Sequence, residues 1–265
     1  MVKVAISGAG GRMGRELAIA ALGDPSVSIA GGTEVAGSPV LGADIGALCG
    51  RPPIGATVTT DMRSALAKAD VLLEFTAPAA TVEHLQIASA LGKGAVVGTT
   101  GLSGQELEQV HAAARRIPVV MAPNMSVGVS VLLRVVPMMA KMLGGGYDLE
   151  IVEAHHRGKK DAPSGTALKI AEAIAEAIGS DLGEVATYGR AGLAPRRDGE
   201  IGIHAVRAGA IVGDHQVLFA NEGEQIEIVH RAFSRQTFAL GAMRAVKFVV
   251  AQGPGLYTMN DVLGS

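Results

Sequence analysis

Apolar residues follow two rhythms along this chain, and the change between them divides it. Through residue 122, short apolar runs alternate with stretches of helical spacing. Val2–Ser7 predicts a strand and Arg12–Leu22 an amphipathic helix. Further strand-like runs fall at 27–30, 58–60 (weak), 71–75, 95–97 and 119–121, with helical patterns at 79–91 and 103–116. Repeated β–α alternation with short apolar strands predicts a parallel, doubly wound sheet of the α/β class. The segment 37–56 is rich in Gly, Pro and Ala and reads as loop.

After Asn124 the pattern changes. A long apolar helix is predicted over Val127–Leu143, then a strand over 147–152. Ser164 is a candidate helix cap, because Leu168, Ala171, Ala175 and Ile178 follow at helical spacing before Gly179. Strand-like runs at 201–206, 216–219 and 226–230 complete a mixed α+β pattern, a sheet with helices on one face. The last strong helix is 238–250, and residues 260–263 close the chain.

Composition narrows the function classes. At 265 residues the chain accommodates two modest domains or one large one. A formal charge of −2 offers no basic field for nucleic acid, and eight Tyr and Phe with no Trp argue against a base-stacking surface. Cys49 is the only cysteine, which excludes an internal disulfide. Arg134 divides the longest apolar run, 127–140, so no membrane span is expected and a cytoplasmic protein is the default.

Candidate chemistry lies in two places. Gly8-Ala9-Gly10-Gly11-Arg12-Met13-Gly14 joins the first strand to the first helix, where a dinucleotide fingerprint belongs. Its spacing fits Gly-x-x-Gly-x-x-Gly better than the strict form, and the alternative reading is a tight βα turn without a ligand. Glu34, twenty residues beyond Gly14, stands where an acid hydrogen-bonds the adenine ribose, which points to NAD. Gly98-Thr99-Thr100 and Ala122-Pro123-Asn124-Met125 follow later strands; as bare sequence each is equally turn chemistry or binding.

The second place is 155–160, His-His-Arg-Gly-Lys-Lys, running into Asp161-Ala-Pro-Ser-Gly165-Thr166 at the helix start. Cations feeding a helix N-terminus suit a small carboxylate, with titratable groups to move protons; a solvated charged face is the plain alternative. If the strand continues through His155 and His156, their side chains point to opposite faces, and one is structural. Metal ligation lacks a third ligand at suitable spacing. Lys159 and Lys160 compete for a proton-donating role. His84, His111, His204, His215 and His230 read as structural or surface groups.

His155-His156, Lys159 and 161–167 resemble the signature of the 4-hydroxy-tetrahydrodipicolinate reductase family. The resemblance continues through Arg207-Ala-Gly209, Val212-Gly213, Ser234-Arg235, Thr237-Phe238 and Tyr257 to Val262, and so covers essentially the whole chain. It implies a Rossmann-type dinucleotide-binding domain (1–126 and 236–265) and a smaller α+β domain for substrate binding and oligomerisation (127–235). It further implies NAD(P)H-dependent reduction of a cyclic dicarboxylate in lysine and diaminopimelate biosynthesis, and a homotetramer. His155 and Lys159 take the catalytic positions, and His156, Gly165 and Thr166 the substrate-binding ones. Gly8 to Met13, Glu34, Gly98 to Thr100 and Ala122 to Met125 become cofactor contacts. Gly158 and Lys160 depart from the family pattern. Val35 stands where relatives that use NADPH well carry a basic residue, so NADH is the expected preference; Arg12 and Arg15 keep use of NADPH open. Rival readings are a dehydrogenase of another small carboxylic acid and an NADH-binding redox sensor; the second predicts no converging proton donors.

Overall fold

The computed structural model describes residues 1–264. The chain runs β1 (Val2–Ser7), α1 (Arg12–Leu22), β2 (Val27–Thr33), α2 (Ile45–Leu48), β3 (Val58–Thr59), α3 (Met62–Ala67) and β4 (Val71–Glu74). It continues with α4 (Pro78–Leu91), β5 (Gly94–Val97), α5 (Gly104–Ala114), β6 (Pro118–Met121) and α6 (Val127–Leu143). Next come β7 (Asp148–His155), α7 (Gly165–Ala177), α8 (Leu182–Val185), β8 (Ala186–Tyr188), β9 (Ile201–Arg207), β10 (Gly213–Ala220) and β11 (Gln225–Ala232). α9 (Gln236–Val249), β12 (Gly255–Tyr257) and α10 (Met259–Val262) close it. Two compact units result: Met1–Val127 with the segment from Arg235 onward, and Gly128–Ser234.

The first unit is a parallel seven-stranded sheet of order β12-β6-β5-β4-β1-β2-β3. Its central strands β1, β4, β5 and β6 are largely buried on both faces, which is why they read as apolar runs. Val4, Ile6, Leu73, Val96 and Val120 face one core with Leu17 of α1 and Val246 of α9. Ala5, Leu72, Ala95, Val97 and Val119 face the other, which α3, α4 and α5 complete through Leu66, Leu85 and Val110. This is the doubly wound arrangement that the alternating pattern predicts. The strand order reverses between β4 and β1, the place where such sheets open a crevice at their carboxyl ends. Local signals agree: Ser103 and Glu106 form a capping box on α5, and α4 starts at Pro78 and stops at Gly92 with φ of 65°.

The second unit is a mixed five-stranded sheet, β11-β10-β7-β9-β8, in which β10 runs antiparallel to β7 and β11 while β9 is parallel to β7 and β8. Leu149, Ile151, Ile203, Val217 and Phe219 form its buried face with α6 (Leu132, Val136) and α7 (Ile170, Ile174). On the opposite face Val206 and Val229 are 44% and 41% exposed.

Two expectations need correction. Residues 37–56 are not all loop: Asp44 caps the short α2, and its carboxylate accepts from the backbone N–H groups of Ala47, Ile54 and Gly55. Side-chain capping of this kind leaves no apolar rhythm to read. Arg134 also does not disqualify the apolar run, because Val127–Gly146 spans 20 residues at a mean hydropathy of 1.6, enough by length and composition to cross a membrane. One face of this helix packs into the second unit's core instead.

Candidate active site

In the first unit the sequence-predicted nucleotide residues gather at one edge of one sheet. Gly8 to Met13 follow β1, Glu34 follows β2, Gly98 to Thr100 follow β5 and Ala122 to Met125 follow β6. All are at strand carboxyl ends. Gly8 turns the chain at φ of 65°, and a Cβ on Gly14 would lie 2.0 Å from the Gly8 carbonyl oxygen, so only glycine permits this turn to close on α1. Gly11 caps α1 without a side-chain bond. The Gly10 N–H donates to Glu34 Oε1 at 3.0 Å, tying the loop to the end of β2. Ala9, Thr99, Ala122 and Met125 are buried, so these positions offer backbone rather than side chain. Thr99 Oγ1 is already engaged, accepting from Thr76 N–H at 3.2 Å and Thr81 O–H at 2.8 Å.

The loop after β4 lies between those after β5 and β1, and sequence reasoning passed over it. Glu74, at the end of β4, is fully buried. It meets His84 Nδ1 at 2.6 Å and accepts from the Thr76 hydroxyl, while Ser7 Oγ lies 3.1 Å from the same His84 nitrogen. His84 is thus a buttress beneath the carboxyl ends of β1 and β4. The signal was an acid ending an otherwise apolar strand, where a buried polar group requires a partner.

In the second unit β7 ends at His155, so the strand does not run through His156 and the opposite-face constraint falls away. His155 Nδ1 lies 2.6 Å from Oε2 of Glu153. Glu153 is fully buried, pairs with both terminal nitrogens of Arg207 at 2.7 and 2.8 Å, and accepts from Ser164 N–H at 2.9 Å. Ser164 caps α7 by accepting from Ala167 N–H, which leaves the helix start, exposed Gly165 and half-buried Thr166, at the end of the cationic loop. Lys159 Nζ lies 2.8 Å from Asp161 and is 21% exposed, while Lys160 is exposed with no ion pair among the described residues. His215, set aside in the sequence as structural or surface, packs edge-on against His155 with ring centroids 5.4 Å apart and places Nε2 3.3 Å from Ser164 Oγ. His230 follows it at 6.2 Å.

Comparison with known proteins decides the family. Residues 2–125 match the family model for dihydrodipicolinate reductase, N-terminus, and residues 128–263 that for dihydrodipicolinate reductase, C-terminus. The chain belongs to the dihydrodipicolinate reductase family. It is 56% identical to the 4-hydroxy-tetrahydrodipicolinate reductase of Rubrobacter xylanophilus, over 100% of this chain and 99% of that protein. It is 50% identical to the reductase of the same name from Syntrophobacter fumaroxidans, with the same coverage. Among solved structures, a dipicolinate-bound dihydrodipicolinate reductase from Paenisporosarcina sp. TG-14 is similar, with a TM-score of 0.78 and 27% identity, over 98% of this chain and 99% of that one.

Within this reductase the electrostatics of the second unit follow from Glu153. Burial raises the pKa of that carboxyl, but Arg207, His155 and the Ser164 N–H together outweigh burial and hold it below its ordinary value. Arg207 is raised in return by Glu153. Burial pushes His215 down to about 4, so its ring is neutral at neutral pH. Asp161 is lowered chiefly by Lys159. Glu153 was missed in the sequence although it left a mark: Leu149, Ile151 and Glu153 share one strand face, so a carboxylate occupies a core position. No cluster of metal-ligating residues is present among the described residues.

Proposed function

We propose that this chain is an NAD(P)H-dependent 4-hydroxy-tetrahydrodipicolinate reductase. It reduces (2S,4S)-4-hydroxy-2,3,4,5-tetrahydrodipicolinate to (S)-2,3,4,5-tetrahydrodipicolinate on the route to diaminopimelate and lysine. One hydride and one proton enter, and the 4-hydroxyl leaves as water. The observation that carries this reading is the convergence of His155, Lys159 and the amino end of α7 in one loop system, in a chain related over its full length to enzymes of that name.

The first unit suits a pyridine nucleotide. Its glycine turn closes tightly on an α1 whose cap has no side-chain bond, so the N–H groups of the first turn face the sheet's carboxyl edge, as a pyrophosphate requires. Gly8 to Met13 would hold the pyrophosphate, Glu34 the adenine ribose, and Gly98 to Thr100 with Ala122 to Met125 the nicotinamide half. When bound, the dihydronicotinamide supplies the hydride.

The second unit handles the substrate and its proton. His155 is the proton donor/acceptor and Lys159 the proton donor. Lys159 takes the lysine role because it is half-buried and held by Asp161, whereas Lys160 is exposed. His156 and the helix start at Gly165 and Thr166 bind the dicarboxylate, where backbone N–H groups and the helix dipole favour anions. Half-exposed Val206 and Val229, on the face of the five-stranded sheet turned away from its core, support assembly into a homotetramer. The same reading places the enzyme in the cytoplasm, where reduced nicotinamide is supplied, without nucleic-acid or membrane partners.

The test is loss of dihydronicotinamide absorbance with substrate freshly generated by the preceding synthase. Turnover dependent on that substrate is expected. Oxidation equally fast with unrelated 2-oxo acids, and none with this substrate, would overturn the assignment.

A further inference from the structure

The geometry points to Glu153 as a positioning residue for this reaction, a role outside the residues placed above in catalysis and binding. The inference rests on the reading of His155 as the proton-handling group. Because Glu153 is held below its ordinary carboxyl pKa, it is an acceptor only, so the hydrogen of the 2.6 Å bond belongs to His155 Nδ1. The neutral ring then carries its lone pair on Nε2. That nitrogen lies beside Gly213, where a Cβ would come within 3.1 Å of it, so the absence of a side chain at 213 keeps Nε2 unobstructed. One carboxylate therefore fixes the tautomer of His155 and selects the nitrogen that exchanges a proton.

Glu153 itself is fixed from three sides. The Arg207 guanidinium engages both of its oxygens, and the strand register sets His155 opposite Arg207 and Glu153 opposite His215. The third contact, from Ser164 N–H, anchors the residue that caps α7. His215 bears on both parts: its ring makes a T-shaped contact with that of His155 and its Nε2 meets the Ser164 hydroxyl. The proton-handling imidazole and the helix start that grips a carboxylate thus share one buried anchor, and their relative placement is set by Glu153.

Two measurements on the full chain test this. The first is the nitrogen NMR spectrum of the histidine side chains in the unmodified protein at alkaline pH, with His155 assigned by its missing signal in His155→Gln. An Nδ1–H tautomer is expected; an Nε2–H tautomer overturns the proposal, and this readout decides even where Glu153→Gln fails to fold. The second is a double-mutant comparison. Glu153→Gln is expected to lower kcat roughly 10²-fold with KM for NADH unchanged, and to add almost nothing to the loss caused by His155→Ala. Losses that multiply in the double variant mean that Glu153 acts apart from His155, which overturns the proposal. A normal kcat in His155→Ala refutes the underlying reading of that residue instead, whatever its tautomer.

Discussion

The Gly10 N–H and the Glu34 carboxylate are joined at 3.0 Å, so the acid expected to meet the ribose also pins the glycine loop. Its second oxygen accepts from Val35 N–H at 3.2 Å, and the Val35 side chain is 75% exposed. A 2′-phosphate would meet this carboxylate with no cation at position 35 to offset it. NADH is therefore expected to give the higher kcat/KM. Val35→Arg should raise kcat/KM for NADPH more than for NADH, as paired measurements with both cofactors would reveal. A clear NADPH preference in the unmodified chain contradicts this account.

The two lysines of the cationic loop should separate in kinetics. His155→Ala and Lys159→Ala are each expected to lower kcat by roughly 10²–10⁴-fold, the usual worth of a positioned acid or base. Lys160→Ala should stay within a few-fold, since its side chain is exposed. Cofactor affinity, read by NADH fluorescence titration, should not change in any of the three. A crippled Lys160→Ala beside a mild Lys159→Ala would reverse the assignment.

Thr166 offers a narrower test. Thr166→Val preserves shape and leaves the backbone N–H groups of the α7 start in place. The expected result is a raised KM for the dicarboxylate with a smaller change in kcat, the signature of lost ground-state binding. An unaltered KM means the hydroxyl does not reach substrate.

His215 makes stability depend on mild acid. Its folded-state pKa, about 4, lies below the ordinary 6.5, so folding favours the neutral ring. Above the ordinary value both states are neutral and this residue contributes no pH dependence. As pH falls from there towards about 4, the unfolded chain takes up a proton that the folded chain refuses, and stability drops. The loss over the whole interval is on the order of 3 kcal/mol. Urea midpoints at neutral and mildly acidic pH should converge in His215→Asn relative to the unmodified chain. An equal acid loss in both proteins would mean that His215 is not the titrating group.

The first unit was legible because its central strands β1, β4, β5 and β6 are apolar over most of their length and its first βα turn is rich in glycine. Arg12–Leu22 and Val127–Leu143 fall where helical spacing puts them. The misses are elements too short for any rhythm, such as α8 at Leu182–Val185 and the three-residue β8 and β12. In the second unit the cationic loop was visible, but its anchor was not. Glu153 is 54 positions from Arg207, and Ser164 is 51 from His215, so only the folded sheet brings these partners together. His84 was read as a structural or surface group, but its partner Glu74 could not be named, since the two meet only when β4 and α4 pack.

The seating of α9 in the first unit bears on how the chain is made. A Cβ on Gly241 would fall 1.7 Å from the Met125 carbonyl oxygen, so α9 lies directly against the turn that follows β6. Its Ala239, Ala242, Val246 and Val249 belong to the same buried cluster as β1 and β4. That core consequently stays open until residues 235–249 have left the ribosome, while residues 128–234 are continuous and emerge before them. A chain stopped after Ser234 should yield protease-resistant fragments from the second unit alone. The half that is translated first is the half that finishes last.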